Sequence, residues 1–168
     1  MIRCMVLALA VSAAVAQPAV PVPVIESRFS PGGGCEREVA QQIDRARTTL
    51  DIAIYCLNEP TITRAILAAH KRGVRVRVVA DTTEAAIKSA TIGELERAKV
   101  PVHRQRGTGN GVMHLKVWII DRKVGLAGSF NGTVPATCRN DEVLMTIRDH
   151  DTIEKLAGKF EQLWRRQP

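Results

Sequence analysis

The alternation of apolar runs with amphipathic stretches between Val39 and His103 is the strongest constraint on what this chain can become. Val39, Ile43, Ala46 and Leu50 recur at helical spacing, and residues 50–57 follow as a nearly continuous apolar strand. Asn58 stands as the cap of the next helix and Pro60 fits its first turn. Ile62, Ala65, Ile66 and Ala69 form the inner face of that helix, and Gly73 ends it in a left-handed conformation. Residues 74–80 are a second strand, 83–99 a further helix with Ile87 and Leu95 inward, and 100–103 a short third strand. Strand, helix and strand in succession require right-handed crossovers and a parallel sheet. After a loop carrying Gly107, Gly109 and Gly111, the apolar runs 112–120 and 124–127 form a hairpin, and 142–147 are one more strand. Asp151 and Glu154 open a final helix like a capping box, and Ile153, Leu156, Phe160, Leu163 and Trp164 bury one side of it. The expectation is a mixed sheet with helices on both faces and no internal repeat.

With 168 residues there is room for one domain. Lys and Arg number 24 against 17 Asp and Glu, a net charge of +7 that favours polyanionic partners, nucleic acid or anionic lipid. At the front, Arg3 precedes an apolar run over 5–15 that closes with Ala14-Val15-Ala16, the pattern of a secretory signal peptide over 1–16 cleaved after Ala16. Residues 17–31 read as a Pro-rich linker and 32–168 as the single folded domain, exported to the periplasm or the medium. The exported part keeps Cys35, Cys56 and Cys138. Cys56 lies in an apolar strand as a small hydrophobe, which leaves Cys35 and Cys138 as the expected disulfide; no spacing fits zinc.

The chemistry concentrates in His114 to Asp121, Gly128 to Asn131, and Asn140 to Glu142. Alternate strand residues share a face, so His114 and Lys116 point together. With Arg122-Lys123 as a two-residue turn, Asp121 pairs with Val124, Lys116 faces Ser129 and His114 faces Asn131. A phosphodiester needs a nucleophile at phosphorus, donors on its oxygens and an acid for the leaving group. Neutral imidazole serves as the nucleophile, Lys, Asn and Ser hold the oxygens without a metal, and Glu142 can orient the imidazole.

His114, Lys116 and Asp121 in H-x-K-x(4)-D spacing, followed by Gly128-Ser129-x-Asn131, resemble the phospholipase D superfamily, and most of all its small single-motif bacterial endonucleases. The likeness extends to the strand 51–57, to residues 73–77 leading into Asp81, and to Glu142. It implies an α/β/α sandwich with a mixed, mainly parallel sheet. It makes His114 the nucleophile that forms a phosphohistidine, Lys116 and Asn131 the phosphate ligands, Ser129 a lining residue and Glu142 the group that orients the histidine. Asp121 is counted in the set, with a structural role at the strand's end. No cofactor or metal is implied. One motif supplies one histidine, so the acid for the leaving oxygen is expected from a homodimer with the site on its twofold axis.

The remaining histidines read as bland, His70 at a helix end and His150 in a turn, while His103, Arg104 and Arg106 are candidates for substrate contact. Aromatics make up only 4% of the chain, so recognition of nucleic acid is expected through its backbone. The leading reading is a metal-independent, non-specific endonuclease on DNA, with RNA as a further substrate. A phospholipase D acting on headgroups is the alternative, and a catalytically inactive nucleic-acid-binding module the second.

Overall fold

A computed structural model describes residues 24–166. The expected leader and cleavage site lie outside the described residues.

One seven-stranded sheet organises the molecule, in the order β1-β7-β6-β5-β2-β3-β4. β2 (Thr49–Ile54), β3 (Arg75–Asp81) and β4 (Val102–Gln105) run parallel, joined through α2 (Pro60–Lys71) and then through α3 (Thr82–Ala85) and α4 (Ile92–Arg97). This half is the expected crossover structure. The other half corrects the expectation of a mainly parallel sheet. β5 (Lys116–Ile120) enters antiparallel to β2, and β6 (Val124–Gly128), β7 (Glu142–Ile147) and β1 (Ile25–Ser30) continue antiparallel. The physical reason is the short connection between β5 and β6, since a parallel pair needs a crossover of about a dozen residues. Residues 25–30, read as linker from their composition, are therefore an edge strand of the domain, paired along β7 from Ile25↔Ile147 to Ser30↔Glu142.

Helices cover both faces. α1 (Cys35–Arg45), α2, α4 and α5 (Val134–Cys138) pack with Leu50, Ile52, Val78, Trp118 and Leu126 on one side. On the other, α6 (His150–Arg165) lays Ile153, Phe160 and Leu163 over Ala53, Val79, Val117 and Ile119. Arg77 of β3 locks α6 down: it donates to both oxygens of buried Asp51 at 2.8 Å and to Glu161 of α6, beneath the rings of Phe160 and Trp164.

Local rules set most boundaries. Gly73 has φ of 87° and ends α2 as expected, a conformation that costs glycine nothing. Four details differ. Glu59 caps α2 by accepting from the Thr61 amide, while Asn58 accepts from Val134 instead. The helix expected over 83–99 is broken because Thr91 is pulled inward, its amide and hydroxyl both donating to Leu57, which leaves Ile87 45% exposed. Asp149 caps α6, two residues before the expected start. Cys35, buried, and Cys138, exposed, are both free, as is Cys56; the expected disulfide is absent because one thiol is sealed in the core and the other faces solvent. Among the described residues no helix is long and apolar enough to cross a membrane.

Candidate active site

The antiparallel entry of β5 decides where the chemistry sits. Because Ile54 pairs with Lys116, the N-terminal end of β5 meets the C-terminal end of β2. β6 then ends, and β7 begins, at the same end of the sheet. His114, Lys116, Gly128, Ser129, Asn131 and Glu142 accordingly line one cleft of about 410 Å³. Ligands of open α/β sheets collect at such carboxyl ends of strands.

The hairpin reaches this arrangement by a register different from the expected one. Ile120 pairs with Val124, so Asp121, Arg122 and Lys123 all lie in the turn. Asp121 and Arg122 adopt φ of 52° and 53°, the left-handed pair of a primed hairpin turn. A one-residue slip would move Ser129 and Asn131 to the other face of a regular strand. Regularity, however, stops at Gly128. The amides of both Ser129 and Phe130 donate to the Val143 carbonyl, Phe130 turns into the core, and the chain leaves the ladder. Gly128 permits this crossing, because a Cβ there would lie 2.1 Å from the Val143 oxygen. Ser129 Oγ accepts from the Val143 amide at 3.1 Å, tying the loop to β7.

Within the cleft the imidazole of His114 is exposed, and no protein hydrogen bond reaches it among the described residues; its neighbour is the Tyr55 ring, centroids 4.5 Å apart. Lys116 is buried, donating to the His114 carbonyl at 2.8 Å. Burial pushes its pKa below the ordinary lysine value, against an upward pull from Glu142. Glu142 is half-buried and accepts from Asn140 at 3.2 Å. It lines the cleft and pulls on Lys116 through space, and it makes no hydrogen bond to the His114 imidazole, the role the resemblance implies for it. The Asn131 Oδ1 is buried in the cleft wall without a partner among the described residues, an acceptor open to a donor. Among the described residues no group of three or more His, Cys, Asp or Glu side chains is placed to hold a metal ion.

Asp121 stands at the opposite end of β5 from the cleft. Its carboxylate accepts from the amides of Arg47, Thr48 and Thr49 and from the Thr48 hydroxyl, at 2.7–2.9 Å. Those bonds hold its pKa down although burial pushes it up. It fastens the motif hairpin to the entry of β2 and does not touch the cleft.

A second cleft of about 290 Å³ adjoins the first and shares His114. Arg106, Lys159 and Arg166 surround it over a floor that includes Val112, Met113 and Leu163. Of the expected substrate contacts, Arg106 belongs here. Arg104 is instead held by both oxygens of Glu96, and His103 is stacked on Trp164 at 3.8 Å with its ring bonded to the Trp164 carbonyl. His70 and His150 line neither cleft. Two residues inside the stretches that carry the likeness were given no role at the site. Buried Asp81 caps α3 through the Thr83 and Glu84 amides and holds the Met113 amide at 2.9 Å, fixing the approach to His114. Tyr55, the sole tyrosine of the chain, lies beside His114 and under Lys116. Both follow from the ends of β3 and β2, a signal that becomes readable only with the sheet order.

Comparison with known proteins agrees with this fold. Residues 39–164 match the family described as cardiolipin synthase, PLD-like domain. A phospholipase D of Rickettsia felis is 37% identical over 83% of this chain and 67% of its own length. A mitochondrial cardiolipin hydrolase of Xenopus tropicalis is 34% identical over 86% of this chain and 64% of its own. The chain thus spans about two-thirds of the length of these curated relatives. Among solved structures, Nuc, a phospholipase D family member from Salmonella typhimurium, superposes with a TM-score of 0.76 at 27% identity, over 83% of this chain and 93% of that one. NucT from Helicobacter pylori gives 0.71 at 29%, over 83% and 96%.

Proposed function

From the premise that this chain belongs to the phospholipase D superfamily and is a phosphodiester hydrolase of it, we propose that it cleaves nucleic acid through a covalent intermediate on His114. The observation that carries the reading is the convergence of His114, Lys116, Ser129, Asn131 and Glu142 on one cleft. An imidazole nitrogen of His114 attacks phosphorus, the P–O bond to the leaving strand breaks, and the developing charge falls on the ammonium of Lys116 and the donating side-chain NH2 of Asn131. Water then attacks the phosphohistidine and gives its proton to the group that had protonated the leaving oxygen, the P–N bond breaks and the imidazole is regenerated. Every step uses side chains of the protein.

In-line displacement puts the leaving oxygen on the far side of phosphorus from His114. His103 is occupied by Trp164, and neither His70 nor His150 lines the cleft. The acid that protonates the leaving oxygen therefore comes, in this reading, from His114 of a second copy across a twofold axis.

Nucleic acid is supported by the net charge of +7 and by the cationic cleft of Arg106, Lys159 and Arg166 against His114, a place for a neighbouring phosphate. A second reading, hydrolysis of phospholipid headgroups, draws on the apolar floor of that cleft and on the names of the relatives. Plasmid nicking and headgroup release, run side by side in excess chelator with wild type and His114→Ala, separate them. Nicking that survives chelation and vanishes in the variant supports the first; headgroup release without nicking supports the second. The expected leader would place the activity in the periplasm or the medium, which fractionation of cells expressing the full chain checks.

A further inference from the structure

Tyr55, Glu84 and Asp81, at the carboxyl ends of β2 and β3, take no part in the chemistry written above. Tyr55 is half-buried and follows β2; its amide donates to the Leu115 carbonyl at 2.8 Å, which lashes it to the residue between His114 and Lys116. Its ring lies 4.5 Å from the His114 ring, tilted by 60°. The Lys116 ammonium sits 4.8 Å from the centre of the same ring. The phenol donates to Glu84 at 3.3 Å, and Glu84 is anchored by its own amide, which donates to Asp81 at 3.1 Å.

We propose that Tyr55 is the positioning residue of this site: its ring orients the His114 imidazole and carries the Lys116 ammonium on its face, and Glu84 clamps the ring through the phenol. The proposal rests on the reading of His114 and Lys116 as the reacting pair. A tilted aromatic contact restricts the rotation of an imidazole that no protein hydrogen bond restrains among the described residues. A ring face stabilises an ammonium most where water is partly excluded, and Lys116 is buried. The clamp is built to stay neutral at its outer end. Burial, then the nearby Glu84 and Asp81, raise the phenol's pKa, so it remains a donor. The neighbouring Cys56 thiol, pushed up to about 11 by burial and by Glu84, remains uncharged too. Asp81 ties the device together, because one of its oxygens caps the helix that holds Glu84 while the other holds the Met113 amide, next to His114.

The test compares Tyr55→Leu, Tyr55→Phe and Glu84→Gln with wild type on a chromogenic phosphodiester, as kcat, KM and pH profile. Tyr55→Leu is expected to lower kcat about tenfold or more with KM within about threefold, the signature of lost orientation and not of lost binding. Lys116 is faced by Glu142 on β7, by Cys56 and Tyr55 after β2, and by His114 on its own segment. Removing the ring takes away one stabiliser of the ammonium, so the alkaline limb moves to lower pH. Tyr55→Phe keeps the ring and is expected to recover kcat to within about threefold of wild type and to restore the limb. Glu84→Gln, which keeps an acceptor for the phenol, behaves like Tyr55→Phe. Tyr55→Met, similar in volume and unbranched, replaces the leucine variant if that one does not fold, with the same loss expected. Wild-type kcat and an unmoved limb in Tyr55→Leu or Tyr55→Met overturn the proposal, and so does a phenylalanine variant as impaired as the leucine one. If His114→Ala is as active as wild type, the underlying reading falls and the proposal with it; if His114→Ala is dead and Tyr55→Leu is intact, the proposal alone falls.

Discussion

A lysine two residues beyond a histidine carries little information until its surroundings are known. Here Lys116 is buried and His114 is exposed, so the pair combines a pre-placed cation with an accessible imidazole. The lowered pKa of Lys116 has a consequence of definite sign. Its ammonium is lost as pH rises through a value below the ordinary lysine range of about 10.4, so the alkaline limb of kcat/KM falls below that pH. Glu142→Gln removes an upward pull and should move the limb lower still; a pH–rate profile in which the limb stays or rises contradicts this. Asp121 makes the opposite kind of contribution. Its carboxyl is depressed by amide hydrogen bonds, so its stabilisation is present above the unfolded carboxyl value of about 3.9 and fades as pH falls through the lower folded value. Asp121→Ala should cost about 1 kcal/mol near neutrality, since solvent reaches the site, while kcat per folded molecule changes little. Chemical denaturation beside steady-state kinetics checks both halves. The cleft residues were legible in the sequence because spacing along one hairpin brings them to one end. The roles of Tyr55 and Asp81 were not, although both lie in stretches that carry the likeness, because they join the site only through the pairing of β5 with β2 and the bond from Met113 to Asp81.

At the scale of elements, hydrophobic periodicity located the strands well and their directions only in part. The helices between β2, β3 and β4 force a parallel half, and that half was readable. The antiparallel half was misread where composition misled: residues 25–30 look like a linker yet pair with β7. The hairpin register was misread because Asp121, not Arg122, opens the turn, a choice made by the tertiary bonds from residues 47–49. The bulge at Ser129 and Phe130 then restores the convergence that a regular strand would have lost. The same scale carries a stability prediction. Arg77 and Asp51 are about nine-tenths buried, and Arg77 also reaches Glu161 on α6. Arg77→Ala strands a buried carboxylate and should cost about 3 kcal/mol or more, read as a drop in the urea midpoint. A loss under about 1 kcal/mol would mean that α6 is held by its apolar face alone.

At the scale of the whole molecule, the proposed mechanism needs a second imidazole, which a second copy would supply across a twofold axis. Light scattering during size exclusion should give twice the chain mass. Mixing wild type with His114→Ala under subunit exchange should lower activity faster than in proportion to the variant added, because each site draws on two imidazoles. A linear decline, or an active monomer, would remove the second histidine from the mechanism. The most direct measurement of the central claim is mass analysis of the peptide containing His114 after a rapid alkaline quench of turnover in excess chelator. The expected result is a phosphoryl adduct on His114 that builds up before steady state and is missing from His114→Ala. Turnover that proceeds with no adduct on that peptide, or with one on another residue, would contradict the account.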